Sequence, residues 1–242
     1  MFSQIYGQQG VTELLERDLI QHELPPALLF SGDRFTGRMT AALETARILH
    51  CGEGGLPGCR CIRCRDARYL RDPFTIIYAN RDFLMLLDAA AASYGRSRNE
   101  SGKELVIRAV HLLLKRFDVM WNPSRESLEK HYGTILEAIQ EHMDQFLSGD
   151  DRNTELQDKH LSVIRNQAAK LAEGIKSSNI PVEAVRTLQG WLATNPGDRQ
   201  AAVIIEGVEH FADGPKNALL KFLEQPPRGV TVMLLSEGRG RI

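Results

Sequence analysis

Apolar positions along the chain follow two rhythms. Val11, Leu14, Leu15, Leu19 and Ile20 fall on one side of a helix over residues 11–21, which His22-Glu23-Leu24-Pro25-Pro26 ends. Residues 27–30 are a short apolar run that predicts a strand leading into a glycine-containing loop over 31–37. Residues 39–50 then predict a helix with Ala41, Ala42, Ala46, Ile48 and Leu49 on its buried side. After a cysteine-rich loop, residues 74–79 predict a second strand, preceded by the turn Arg71-Asp72-Pro73.

From about residue 82 to residue 176 the strand rhythm is absent and helical spacing takes over. Ser101 and Glu104 form a capping box that predicts a helix with Val106, Ala109, Val110, Leu113 and Phe117 on one stripe. Asn122-Pro123 predicts the start of a second helix, carrying Leu128, Tyr132, Ile135, Leu136, Ile139, Met143 and Leu147. Gly149-Asp150-Asp151 interrupts, and Thr154 with Gln157 predicts the cap of a third, with Leu161, Ile164, Ala168, Leu171 and Ile175. Three amphipathic helices suffice to bury one another, so their stripes read as internal core rather than a binding face. Strand rhythm returns afterwards. Residues 181–193 predict a helix with Val182, Val185, Leu188 and Leu192 inward, Gly197-Asp198-Arg199-Gln200 a turn, and residues 201–205 and 230–235 two strands.

Composition narrows the classes without choosing one. The 242 residues are 43% hydrophobic, ample for a buried core, and the formal net charge of -1 gives no whole-chain basic excess for nucleic acid. Apolar runs are strand-length, far short of a membrane span, and the N-terminus has neither a basic nor an apolar leader region, so the expected compartment is the cytoplasm. All four cysteines lie between residues 51 and 64. In a reducing compartment that clustering favours a metal site over disulfides. Cys51, Cys59, Cys61 and Cys64 are the expected ligands of a structural Zn2+, and Gly52, Gly54, Gly55, Pro57 and Gly58 supply the turns that bring Cys59 back to Cys51. His50 is a possible substitute ligand, but four thiolates already complete the shell.

Strand, loop and helix in that order open a P-loop fold, and Gly32-Asp33-Arg34-Phe35-Thr36-Gly37-Arg38-Met39 stands at the phosphate loop. Gly32 and Gly37 keep the frame that lets backbone amides approach phosphate. The chemistry beyond the frame is missing. A working loop has a lysine and then a hydroxyl that ligates magnesium, where this chain has Arg38 and Met39. Thr40 comes one residue late, turned by roughly 100 degrees on a helix.

Val203-Ile204-Ile205-Glu206, followed by Lys216-Asn217-Ala218-Leu219-Leu220-Lys221-Phe222-Leu223-Glu224-Gln225-Pro226-Pro227, resembles the acidic strand end and signature helix of bacterial clamp-loader subunits with the AAA+ fold. Ile5-Tyr6-Gly7-Gln8, Leu28-Leu29-Phe30-Ser31-Gly32 and the four cysteines follow in the family's order. The chain is thus similar to subunits of the DNA polymerase III clamp loader, and its departures from the active pattern resemble the delta-prime type. The family's cysteine loop has one more residue in each of its first two gaps. The resemblance implies an α/β fold: a P-loop AAA+ parallel sheet with flanking helices, formed by residues 1–84 and 178–242, with the zinc module at 51–64. Residues 85–177 are then an all-helical insertion of roughly ninety residues, near the lower size of a domain. It also implies a chain cut off within the ATPase domain, with the Ser-Arg-Cys arginine-finger motif falling beyond Ile242; Arg239 and Arg241 do not match its register.

In an active member the strand end is Asp-Glu, one carboxylate holding magnesium and the next polarising the attacking water. Here the pair is Glu206-Gly207, so only the metal-side role survives, while Ser236 stands at the sensor position of the next strand. The resemblance therefore implies a subunit without ATP hydrolysis. Gly32, Gly37, Arg38 and Glu206 are vestiges, and the partners are gamma/tau and delta subunits, the sliding clamp and primed DNA. An active gamma/tau-type motor would need Lys and Thr or Ser at positions 38 and 39. A small-molecule P-loop kinase fails on the same loop. A zinc-dependent nucleic-acid-binding module is the rival of another class, with Arg60, Arg63, Arg65, Arg68 and Arg71 as phosphate contacts; the favoured reading of those arginines is that they balance thiolate charge. His210 and Phe211 read as cover for the strand end, and Asn217, Leu220 and Leu223 as helix-packing positions.

Overall fold

Residues 1–122, 124–175, 180–194 and 200–238 are described by a computed structural model. Two compact units divide the chain, Met1–Asn80 with Ser178–Ile242, and Arg81–Ser177.

The first unit is built on a parallel sheet of β1 (Ala27–Ser31), β2 (Thr75–Tyr78), β3 (Ala201–Glu206) and β4 (Val230–Ser236), in the order β1-β4-β3-β2. Ala27 pairs with Val232, Ala201 with Val230 and Thr75 with Ala202. β2 and β4 are buried along their whole length and β3 up to Ile205, because helices cover parallel strands on both faces; hence the unbroken apolar runs. In β1 only Phe30 is buried. Around the sheet lie α1 (Gln9–Ile20), α2 (Arg38–His50), α3 (Ile62–Arg68), α8 (Val182–Thr194) and α9 (Asp213–Glu224). Parallel strands deliver their carboxyl ends to one edge, so Ser31, Tyr78, Glu206 and Ser236 open the loops where such sheets bind ligands. The α/β class and the parallel sheet flanked by helices are as the sequence implies.

The second unit contains α4 (Phe83–Ser97), α5 (Glu100–Leu114), α6 (Arg125–Ser148) and α7 (Thr154–Gly174). Its core includes Leu87, Tyr94, Val106, Ile107, Ile139, Phe146, Ile164 and Leu171, with Tyr94 set edge-on to Phe146 at 5.1 Å.

Several local expectations need correction. Among the described residues of 81–177 there are four long helices instead of three, because the apolar and alanine-rich run of α4 carries its own cap, Asp82, whose side chain accepts from the Met85 amide. Neither capping box forms as expected. Asn99 caps α5 by accepting from Gly102, and Asn153 caps α7 by accepting from Leu156; each asparagine stands just ahead of the residue first favoured. α6 is capped by Ser124, and Pro123 lies outside the described residues, as do Gly197, Asp198, Arg199, Arg239, Arg241 and Ile242. On α1 only Leu15 and Leu19 are buried, while Val11, Leu14 and Ile20 are exposed. On α9 the buried positions are Pro215, Leu219 and Phe222; Asn217 and Leu220 face outward because the burial stripe runs one position out of phase with them. α3 was not legible in the cysteine spacing at all.

Candidate metal centre and the loops at the strand ends

Cys51 follows α2 in extended backbone, and after a glycine-rich loop Cys61 caps α3, its sulfur accepting from the Cys64 amide at 3.4 Å. The four sulfurs all lie within 4.8 Å of one another. Cys51 Sγ is 3.7 Å from Cys59 Sγ and 4.0 Å from Cys61 Sγ. A tetrahedron with zinc-sulfur bonds of about 2.3 Å has edges of about 3.8 Å, so the sulfurs fit a tetrahedral thiophilic ion such as zinc. Gly55 makes the closure possible: its φ is +69°, and a Cβ there would stand 2.6 Å from Ile48 Cγ2 on α2.

The sulfurs are unequal. The Cys64 amide, donating to the Cys61 sulfur, leads the effects that hold the Cys61 thiol down at about 7. Burial pushes Cys64 up to about 12, against the pull of the Arg47 guanidinium, which donates to its sulfur at 2.9 Å. Glu53 donates its amide to Cys51 Sγ at 3.3 Å. His50 is turned to a different task. Its Nδ1 bonds Asp72, which also accepts from the Phe74 amide at 3.1 Å and the Thr75 hydroxyl at 3.0 Å. Burial raises the Asp72 carboxyl, but those bonds outweigh it and hold it below its ordinary value. A cavity of about 720 Å³, lined in part by His50, Cys51, Arg63 and Asp72, opens beside this network.

At the strand ends, Gly37 is the N-cap of α2 and Arg38 its first residue. Met39, the next residue, is buried in the core. Thr36 turns its hydroxyl back to the Asp33 carbonyl at 2.8 Å. Glu237, just past β4, sets its carboxylate 2.6 Å from Arg34 Nε and 3.9 Å from Arg38 Nη2, and the bond from Arg34 holds that carboxyl below its ordinary value. The loop's two arginines thus face an anion of the chain itself. Glu209, nearly buried, accepts from the Glu237 amide at 2.8 Å.

Glu206 accepts from the Asn80 amide at 3.0 Å, tying the end of β3 to the end of β2. Gly207 follows with φ +77°, and a Cβ built on it would meet Asn80 Nδ2 at 2.8 Å. An acid at this position would need both a different backbone and a displaced Asn80. Ser236 is fully buried and donates to the Gly238 carbonyl at 2.9 Å. Phe211 packs edge-on against Tyr78 at 5.6 Å. Gly32 donates its amide to the Ser236 carbonyl at 3.2 Å, which sets the loop after β1 beside the end of β4.

Arg47, Asp72, Asn80 and Glu237 escaped the sequence reading. Arg47 had a local signal in the acid three residues earlier on its helix, and Asp72 one in Phe74 and Thr75 just after it; the contacts of Asn80 with Glu206 and of Glu237 with Arg34 join segments distant along the chain.

A family model described as DNA polymerase III, delta subunit, matches residues 140–242, from within α6 through β4 and beyond. Over that stretch the chain is similar to that family, which supports a clamp-loader-type subunit of DNA polymerase III with a role in replication. No curated protein matches the chain.

Proposed function

We propose that this chain is a nucleotide-silent, delta-prime-type subunit of the DNA polymerase III clamp loader. It serves a hetero-oligomeric ring of gamma/tau and delta subunits that places the sliding clamp on primed DNA in the cytoplasm. The observation that carries the reading is the end of β3. Glu206 is bonded to the Asn80 amide, and Gly207 holds a left-handed conformation against the Asn80 side chain, so no second carboxylate stands ready to polarise water. Arg38 in place of lysine, buried Met39 and the carboxylate of Glu237 at the loop's arginines support the same conclusion. On this reading the first unit is the AAA+ core and the second a helical insertion. The active gamma/tau-type alternative finds no support at positions 38, 39 or 207.

Cys51, Cys59, Cys61 and Cys64 hold a structural zinc ion in this proposal. Its chemistry is cross-linking: it fixes the loop after α2 to the first turn of α3, and so contributes directly to folding. Among the described residues, no helix is long and apolar enough to cross a membrane.

The test is reconstitution. The zinc-loaded chain, mixed with gamma/tau and delta subunits, should enter one complex on a sizing column and raise clamp loading on primed DNA. The Glu206→Gln variant should do the same. Loading that needs Glu206, or salt-sensitive DNA binding by the chain alone with no complex formed, would overturn the proposal; the latter result is the one expected of a zinc-dependent nucleic-acid-binding module.

A further inference from the structure

Arg47 sits in the third turn of α2 and is only 4% exposed. A buried guanidinium is tolerated when its donors are satisfied, and here they are distributed among three segments. Nε and Nη2 grip Glu44, one turn earlier, at 2.8 and 2.7 Å. Nη2 also reaches the Gly55 carbonyl in the cysteine loop at 2.9 Å, and Nη1 donates to Cys64 Sγ at 2.9 Å. An ion pair that served only the helix would need neither burial nor the last two bonds.

We propose that Arg47 is the positioning residue of the thiolate centre, fixing the Cys64 sulfur and the Gly55 turn to α2 so that the four sulfurs are gathered before metal arrives. The inference rests on the zinc reading above. Four thiolates around a divalent cation leave two negative charges uncompensated, and hydrogen bonds to the sulfurs are how a protein disperses them. Glu44 cancels the net charge of Arg47, so the effect is directional: the planar fork sets an orientation that a point charge would not.

The experiment compares zinc affinity, by competition with a chromophoric chelator, in the wild-type chain, Arg47→Met and Arg47→Lys. Cobalt-substituted spectra and the melting temperature of each metal-free chain accompany it. Arg47→Met fills the volume without donating. It should bind zinc about 10–100-fold more weakly, with an altered sulfur-to-cobalt charge-transfer band and a metal-free melting loss smaller than the loss in affinity. Arg47→Lys should recover part of the affinity. Affinity within about twofold of wild type in Arg47→Met, or a loss matched by an equal collapse of the metal-free chain, overturns the positioning role. Failure of the wild-type chain to bind one zinc or cobalt ion overturns the zinc reading itself, and is seen before any variant is compared.

Discussion

Gly207 carries more of the functional argument than any charged residue, because its absent side chain is what the end of β3 requires. With φ +77° and Asn80 Nδ2 2.8 Å from any Cβ, Gly207→Glu adds backbone strain and a clash together. Urea unfolding should show a loss of about 1–3 kcal/mol, and phosphate release should stay at background. A stable variant with new turnover would mean the strand end is more adaptable than its geometry implies. The glycine was visible in the sequence as a missing acid. Its conformation was not, because that depends on Asn80, which sits 127 positions earlier and meets it only through the pairing of β2 with β3. The same distinction holds at the cysteines: the sequence spacing marked the four sulfurs that the fold gathers, whereas the Arg47 donation to Cys64 needed the packing of α2 against α3.

Helix starts in the second unit show how close competitors are resolved. Asn99 and Asn153 each present a side-chain oxygen to the amide three residues on, at 2.9 and 3.3 Å. Ser101 and Thr154, the first choices from the capping-box pattern, lie inside the helices that follow. Asparagine caps as well as serine and better than threonine, and it stands at the true boundary. Asn99→Ala should therefore cost about 1 kcal/mol in urea unfolding, against a small effect for Ser101→Ala. Apolar stripes make the helices themselves legible, with the ends less so; in α4 the alanines blur the stripe that defines a buried face.

Packing of α6 on α7 also creates a pH-sensitive contact. His142 and His160 place their Nδ1 atoms 3.0 Å apart, and His160 is nearly buried. Burial, then the neighbouring His142 and Lys159, hold His160 below its ordinary value of 6.5. The folded state therefore resists a proton that the unfolded state accepts. The resulting stability is complete above pH 6.5 and declines as pH falls from there towards the lower folded value. Thermal melting of the chain should lose stability over that window, and His160→Gln should flatten the decline. An identical acid limb in the variant would remove His160 as its source.

At the scale of the whole molecule, the order β1-β4-β3-β2 is what joins the separate sequence signals. It sets the loop after β1 beside the end of β4, which brings Arg34 and Arg38 to Glu237, and the end of β3 beside β2, which brings Glu206 to Asn80. Buried apolar strands made the sheet legible from the sequence, since parallel strands covered on both faces need unbroken hydrophobic runs. The state of the strand-end site was only half legible. The residues at positions 38, 39 and 207 were plain in the sequence, but the groups that engage Arg38 and Glu206 come from distant segments. On the proposed reading this edge does not handle nucleotide. Its most direct test is a titration of the zinc-loaded chain with labelled ATP and magnesium, followed by a phosphate-release assay on the same sample, with Glu206→Gln as control. The account predicts no saturable magnesium-dependent binding and no release from either protein. Stoichiometric binding with turnover that disappears in Glu206→Gln would contradict it and place the chain among the motor subunits.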